Sequence, residues 1–208
     1  MWRPTVLLVD DHNLVVEAFK KLLEAEFDIV GTVSNGQDLL KITNELKPDV
    51  ILLDLGMPQL NGLEAGRELK KLLPRTKLIV LTMNEDTEVA RESLRLWASG
   101  YLLKKSAGSE LVKAVRDALH GRTYVTPTVA QRLEEDFIRD PQPEHKELTS
   151  RQREVLKLLA EGRTMKETAD ELHVTPRTVA FHKYKIMEEF GLKNNSDLVK
   201  LALRERIV

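Results

Sequence analysis

Five times in the first 122 residues, a short β-rich apolar run gives way to an amphipathic stretch whose apolar residues recur at helical spacing. "TVLLV" (5–9) precedes a predicted helix over 13–25, "FDIVGTV" (27–33) one over 36–46, and "DVILL" (49–53) one over 62–73. "KLIVLT" (77–82) precedes one over 86–98, and "GYLL" (100–103) one over 109–120. Parallel neighbours in a sheet need crossover connections, commonly helices. Five β–α units in series therefore predict an α/β doubly wound parallel five-stranded sheet over residues 1–122, covered on both faces.

In such a sheet, ligands bind outside the carboxyl ends of the strands, chiefly where strand order reverses. Asp10 and Asp11 end the first run, and Asp54 follows the third in "VILLDLGMP". In the flavodoxin-like order 2-1-3-4-5 those strands are neighbours, so the three carboxylates converge. Like charges that close raise one another's pKa unless a cation intervenes, and all-oxygen ligation suits Mg²⁺ or Mn²⁺. Thr82 closes the fourth run with a hydroxyl, and Lys104 follows the fifth with an ammonium. A metal, a cation and a hydroxyl around a carboxylate suit phosphoryl transfer, with Asp54 as nucleophile. Taken singly, each reads as a turn or cap residue; the argument rests on five of them at four strand ends. Tyr101 reads, on propensity alone, as a half-buried strand aromatic.

After "GRTYVTP", a helix over 128–138 runs into "RDPQPEHKE", so residues 123–147 are expected to form a linker that includes a helix. Residues 148–208 then read as purely helical. "LTSRQREVLKLLAEG" starts on a Thr/Ser cap and stops at Gly162; "TMKETADELHV" is short; "TPRTVAFHKYKIMEEFG" has Pro176 in its first turn; "SDLVKLALRERI" is last. Four compact helices with a tight turn between the second and third suggest a small all-α helix-turn-helix domain, whose second helix enters the DNA major groove. At about 100° per residue, Val179, Ile186 and Phe190 point inward, while Arg177, Ala180, Phe181, Tyr184 and Glu188 share the outward face. Lys183 and Lys185 flank that face within reach of phosphates, Ala180 and Phe181 suit thymine methyls, and Arg177 suits phosphate or guanine.

Charge is unevenly shared. Residues 148–208 carry 12 Lys/Arg and 9 Asp/Glu, net +3, against 20 and 24, net −4, in residues 1–147. That asymmetry is compatible with nucleic acid at the C-terminal end. The chain has no cysteine and no His-rich or HExxH cluster, which argues against disulfides, thiol nucleophiles and structural zinc. Neither a long apolar tract nor a charged-then-apolar leader is present, so a cytoplasmic protein without membrane partners is expected.

"LLVDD", "DVILLDLGMPQLNGLE", "LIVLT" and "GYLLKK" resemble the receiver domain of bacterial two-component response regulators. The resemblance implies Mg²⁺ held by Asp10, Asp11, Asp54 and the carbonyl of Gly56. It further implies phosphorylation of Asp54 by a sensor histidine kinase, Lys104 paired with the phosphoryl group, and Thr82 with Tyr101 as the switch. "LTSRQREVLKLLAEG…KETADEL…VTPRTVAFHKYKIMEEFGL" resembles the LuxR-type DNA-binding domain, and the domain order resembles the NarL/FixJ subfamily. That resemblance puts Ala180, Phe181 and Tyr184 at DNA-facing positions, Lys166 and Thr178 at backbone-contacting ones, and the last helix at the dimerisation position. Against the family pattern, Met83 replaces a small Ala and Lys105 a Pro or Asp; Gln152, Met165, Thr168 and Glu189 replace Glu, Asn, Ile and Lys.

The expectation is a phosphorylation-dependent transcription regulator that dimerises on activation, binds double-stranded DNA and meets RNA polymerase. It is not expected to be an enzyme, beyond slow self-dephosphorylation. Two alternatives stay open: a phosphorylation-controlled interaction protein with weak or no DNA binding, and an aspartate-nucleophile phosphohydrolase. The second lacks an acid two residues after Asp54, where Gly56 stands.

Overall fold

A computed structural model describes residues 3–35, 38–57, 62–139 and 148–208. The chain divides into two compact units, Met1–Arg139 and Asp140–Val208.

In the first unit, the strands are β1 (Thr5–Val9), β2 (Asp28–Val33), β3 (Val50–Asp54), β4 (Lys77–Thr82) and β5 (Gly100–Leu103). The helices that follow them are α1 (Asn13–Leu23), α2 (Leu39–Leu46), α3 (Gly62–Leu72), α4 (Thr87–Leu96) and α5 (Ala107–Leu119). The first two positions expected of the second helix, 36 and 37, lie outside the described residues. All strand pairings are parallel, and the expected order is present with one strand more: β2-β1-β3-β4-β5-β6, where β6 is Tyr124–Val125.

That sixth strand corrects the expected five. It falls in the segment expected to be linker, as does α6 (Pro127–Arg139), yet both belong to the first unit. β6 pairs with β5, with Thr126 N–H donating to the Tyr101 carbonyl just beyond it. On α6, Val129 is fully buried, Thr87 bonds Asp136, and Arg132 pairs with Glu85 at 2.7 Å. The rest of the expected linker, 140–147, lies outside the described residues.

Every residue of β3 is buried, as helices on both faces require. Val6, Leu8, Val50, Leu52, Ile79, Leu81 and Leu102 meet Phe19 and Leu23 of α1 and Leu111 and Val115 of α5 in one continuous core. Each such side chain contributes about 1.5–3 kcal/mol of transfer free energy. Two close approaches fix α3: a Cβ at Gly66 would lie 2.4 Å from the Trp97 ring, and one at Gly62 2.8 Å from the Leu55 backbone.

The second unit holds α7 (Ser150–Ala160), α8 (Met165–Glu171), α9 (Pro176–Glu189) and α10 (Asn195–Arg204). Thr149 and Thr164 close capping boxes with Gln152 and Glu167, and Thr175 caps α9 by accepting the Thr178 N–H. Leu156, Ile186, Leu198, Leu201 and Ala202 form one core, and Val155, Ala169 and Val179 a second beneath the α8–α9 turn.

Candidate functional site

Sheet register brings the strand-end residues together. Val9 is opposite Leu53 and Asp54 opposite Leu81, so Asp10 falls beside Asp54 and Thr82 one step further along the next strand. Thr82 is in turn opposite Leu103, and Lys104 opens the 3₁₀ turn Lys104–Ser106 that follows. Asp10 and Asp54 are only 3% and 2% exposed. Lys104 Nζ lies 2.7 Å from Asp10 Oδ2 and 2.8 Å from Asp54 Oδ2, and Gly56 N–H donates to Asp54 Oδ1 at 2.7 Å. A Cβ at position 56 would stand 3.1 Å from that oxygen, which favours glycine beside the carboxylate.

Burial pushes the Asp54 carboxyl up, more than the Lys104 ammonium and the Gly56 N–H pull it down, and the Asp10 charge adds to the rise. For Lys104 the balance is reversed. Burial pushes it down, but Asp10 and Asp54 together lift it above its ordinary value. The cluster thus places two carboxylates against one cation, an excess of negative charge.

One carboxylate oxygen each from Asp10, Asp11 and Asp54, with a ring nitrogen of His12, lie within 4.8 Å of one another. Asp11 Oδ1 is buried and, among the described residues, has no hydrogen bond beyond the approach of His12 Nδ1 to 3.0 Å. An oxygen-rich donor set with surplus charge and an unsatisfied buried oxygen fits a hard divalent cation such as Mg²⁺. Sequence reasoning missed His12, whose only signal was adjacency to the two acids.

The two residues expected to act as a switch meet at one residue, Asn84. Thr82, 4% exposed, accepts the Asn84 N–H on Oγ1 at 3.0 Å, while Tyr101 donates its hydroxyl to the Asn84 carbonyl at 2.9 Å. Tyr101 is wholly buried, not half-buried as propensity suggested, because β6 and α6 extend the sheet beyond β5. Burial, with the Asp86 charge, pushes its phenol pKa up. The same loop continues to Glu85, which pairs with both Lys105 and Arg132 of α6. Lys105 thus has a partner that a proline could not have offered. Met83 is 68% exposed.

In the second unit, Lys166, Tyr184 and Glu188 are exposed, and Arg177, Ala180, Phe181, Lys183 and Lys185 are half-buried. Lys183 Nζ stands 5.8 Å from the Tyr184 ring centroid and Lys185 Nζ 5.5 Å from that of Phe181. Val179 and Ile186 point inward as expected, and Phe190 is half-buried. Thr178 does not lie with the exposed group. It is 4% exposed, with its hydroxyl 3.0 Å from that of the capping Thr175, because its backbone sits in the first turn of α9 against the domain core. His182 is fully buried, as a packed helix residue would be.

A doubly wound sheet with an aspartate, lysine and threonine at its switch-point edge, followed by a helix-turn-helix unit, defines a phosphoacceptor joined to a DNA-binding module. Residues 6–116 match the response regulator receiver domain family, and residues 146–202 the luxR family of bacterial regulatory proteins. The chain belongs to the two-component response regulators that carry a LuxR-type C-terminal domain. It is 34% identical to the oxygen regulatory protein NreC of Staphylococcus aureus, over 98% of each chain. It is 32% identical to the response regulator GacA of Pseudomonas aeruginosa, over 98% of this chain and 97% of that one. Among solved structures it resembles RcsB of Salmonella enterica bound to a promoter in the presence of a phosphomimetic. There the identity is 28%, the TM-score 0.65, and the coverage 96% of this chain and 97% of that one. Among the described residues, no helix is long and apolar enough to cross a membrane.

Proposed function

We propose that this chain is a cytoplasmic transcription regulator whose binding to double-stranded DNA is governed by phosphorylation of Asp54. The observation that carries the reading is the Asp10–Lys104–Asp54 cluster, in which one buried ammonium bridges two carboxylates at 2.7 and 2.8 Å. An Asp54 oxygen attacks the phosphorus of a phosphohistidine on a sensor kinase; the P–O bond forms as the P–N bond breaks, and the imidazole leaves. Asp10, Asp11, Asp54 and the carbonyl of Gly56 would hold Mg²⁺. When bound, it supplies positive charge to the equatorial phosphoryl oxygens. Lys104 is placed to transfer its contact from the carboxylate to the phosphoryl group.

Thr82 is the natural donor to a remaining phosphoryl oxygen, since its hydroxyl now serves only as an acceptor for Asn84 N–H among its described contacts. Drawing Thr82 toward the phosphoryl group pulls on the Asn84 N–H, while Tyr101 anchors the Asn84 carbonyl. The strain passes to Glu85 and so to α6, the element that leads toward the DNA-binding unit. This mechanism sequesters Tyr101 before phosphorylation, so Asn84 and Thr82 carry the movement.

In the second unit, Lys166, Arg177, Lys183 and Lys185 contact phosphates, while Ala180, Phe181 and Tyr184 face the bases; Thr178 contributes from the first turn of α9, where Thr175 holds its N–H. RcsB has been solved as dimers on DNA, and a dimer of this chain, joined through α10, would span two half-sites about one helical turn apart. RNA polymerase is the further partner that a promoter-bound regulator meets. The acyl phosphate is lost by slow self-hydrolysis.

Labelled acyl-phosphate donor with Mg²⁺ should label wild-type protein and leave Asp54→Ala unlabelled. Equal labelling of the variant would overturn the reading. Gel shifts with and without the donor then separate a DNA-binding output from a protein-only one.

A further inference from the structure

We infer that His12 is a ligand to the divalent cation at the acid cluster and sets which cation the site prefers. The inference rests on the Mg²⁺ reading above and adds to it a nitrogen donor that the carboxylates and the Gly56 carbonyl do not supply.

Three consecutive residues build the arrangement. The chain turns at the end of β1, and His12 N–H donates to Asp10 Oδ1 at 2.9 Å, closing a tight Asx turn. The turn folds the His12 ring back over the carboxylates. Its Nδ1 lies 3.1 Å from Asp10 Oδ1 and 3.0 Å from Asp11 Oδ1. Adjacent donors of an octahedral ion with bonds of 2.0–2.1 Å are separated by about 3 Å. The ring nitrogen therefore already stands from each carboxylate oxygen at the spacing that adjacent donors on such an ion require.

Two further observations point to an ion. Asp10 is almost wholly buried, and Asp11 Oδ1, also removed from water, has no hydrogen bond among the described residues beyond the approach of the His12 ring nitrogen. A buried carboxylate oxygen left in that state is costly unless something positive meets it. The His12 side chain is itself 61% exposed, so the ring has room to adjust as an ion enters.

Imidazole changes the selectivity of an oxygen site. Mg²⁺ is hard, keeps its waters and takes oxygen donors, whereas first-row transition ions gain more from an imidazole, and Mn²⁺ is the one among them that also suits carboxylates. With His12 in the donor set, preference moves toward Mn²⁺. Without it the site reverts to a plain carboxylate site.

The test uses the full-length chain, with MnCl₂ and MgCl₂ as probes, in wild type and His12→Ala. Equilibrium titration should show the Mn²⁺ affinity falling about tenfold in the variant while the Mg²⁺ affinity changes less than about twofold. Pulsed electron paramagnetic resonance of bound Mn²⁺ should show modulation from a directly bound ¹⁴N in wild type and none in the variant. Matching thermal melts of the two metal-free proteins establish that the variant is folded. Equal loss for both ions would make His12 a residue that positions Asp10 and Asp11. Tighter binding by the variant would make the ring an ion-pair competitor of the metal. Either result, or the absence of nitrogen modulation, overturns the inference. Asp54 labelling in Mg²⁺ reads the parent proposal separately: if labelling persists without nitrogen modulation, only the role of His12 falls.

Discussion

Gln152 on α7 and Glu189 at the end of α9 are hydrogen-bonded, with Gln152 Nε2 donating to Glu189 Oε2 at 2.9 Å. The other end of the same amide accepts the Thr149 N–H at 2.9 Å, closing the capping box of α7. Both positions depart from the LuxR-type pattern of Glu and Lys, and they depart together. Gln152 donates and Glu189 accepts, so the end of the recognition helix carries an acceptor where that pattern has a cation.

Gln152 is only 1% exposed, so the bond cannot be replaced readily by water. Glu189→Lys should destabilise the C-terminal unit by about 1–2 kcal/mol, because an ammonium then meets the amide's N–H₂ group. Adding Gln152→Glu should recover most of the loss, since a carboxylate can both cap Thr149 and accept from the lysine. Calorimetric melting of the two single variants and the double variant measures the coupling. A single variant as stable as wild type would show that the pair contributes nothing.

Asp54→Asn should stabilise the metal-free receiver unit, by about 1 kcal/mol at neutral pH, because it removes a buried charge beside Asp10 and leaves Lys104 paired with Asp10. The sign follows from linkage. A carboxyl whose folded pKa is raised binds protons more readily in the folded state, so wild type loses stability as pH rises through that value. The advantage of Asn over Asp should be full at pH 7.5 and shrink on acidification toward the ordinary aspartate range near 3.9. Melting both proteins in chelator across that interval tests this; an advantage independent of pH would point away from the Asp54 charge.

Thr168 is fully buried on α8, and among the described residues its hydroxyl has no hydrogen-bond partner. Neighbouring Ala169 packs with Val155 and Val179, so the hydroxyl has been carried into apolar surroundings where the family pattern has Ile. Thr168→Val keeps the shape and removes the unsatisfied group. It should raise the stability of the second unit by about 1 kcal/mol, read as a higher denaturant midpoint with unchanged slope. A lower midpoint would mean that the hydroxyl serves the fold.

Much of the receiver site was legible because its residues stand at the ends of strands, where parallel topology leaves few places for them to go. Asp10, Asp54, Thr82 and Lys104 needed only strand order to be brought together. β6 escaped notice because two residues carry no periodicity; pairing with β5 makes Tyr124–Val125 a strand. Thr178 was assigned to DNA from its motif position, but helical periodicity distinguishes faces poorly within a first turn, where capping geometry decides what is buried. His12 and the Gln152–Glu189 pair depend on side-chain meetings that spacing alone does not encode.

The recognition surface makes the final prediction. α9 presents Lys183 and Lys185 beside Tyr184 and Phe181, with Glu188 exposed on the same helix. If the lysines meet phosphates, each releases about one counterion on binding, and Lys183→Ala or Lys185→Ala should lower the slope of log affinity against log salt by about 0.9. Tyr184→Ala should act differently: it removes an exposed base-facing ring, lowering affinity about tenfold while leaving the salt slope unchanged. Anisotropy titrations of a labelled duplex between about 50 and 200 mM salt distinguish the two classes. Because Lys183 also lies against the Tyr184 ring, the double variant tests whether they act separately. Additive losses mean independent contacts, whereas sub-additive losses mean that the lysine reaches DNA from a position held by the ring. An unchanged salt slope in both lysine variants would remove α9 from the phosphate contacts and leave Lys166 and Arg177 to supply them.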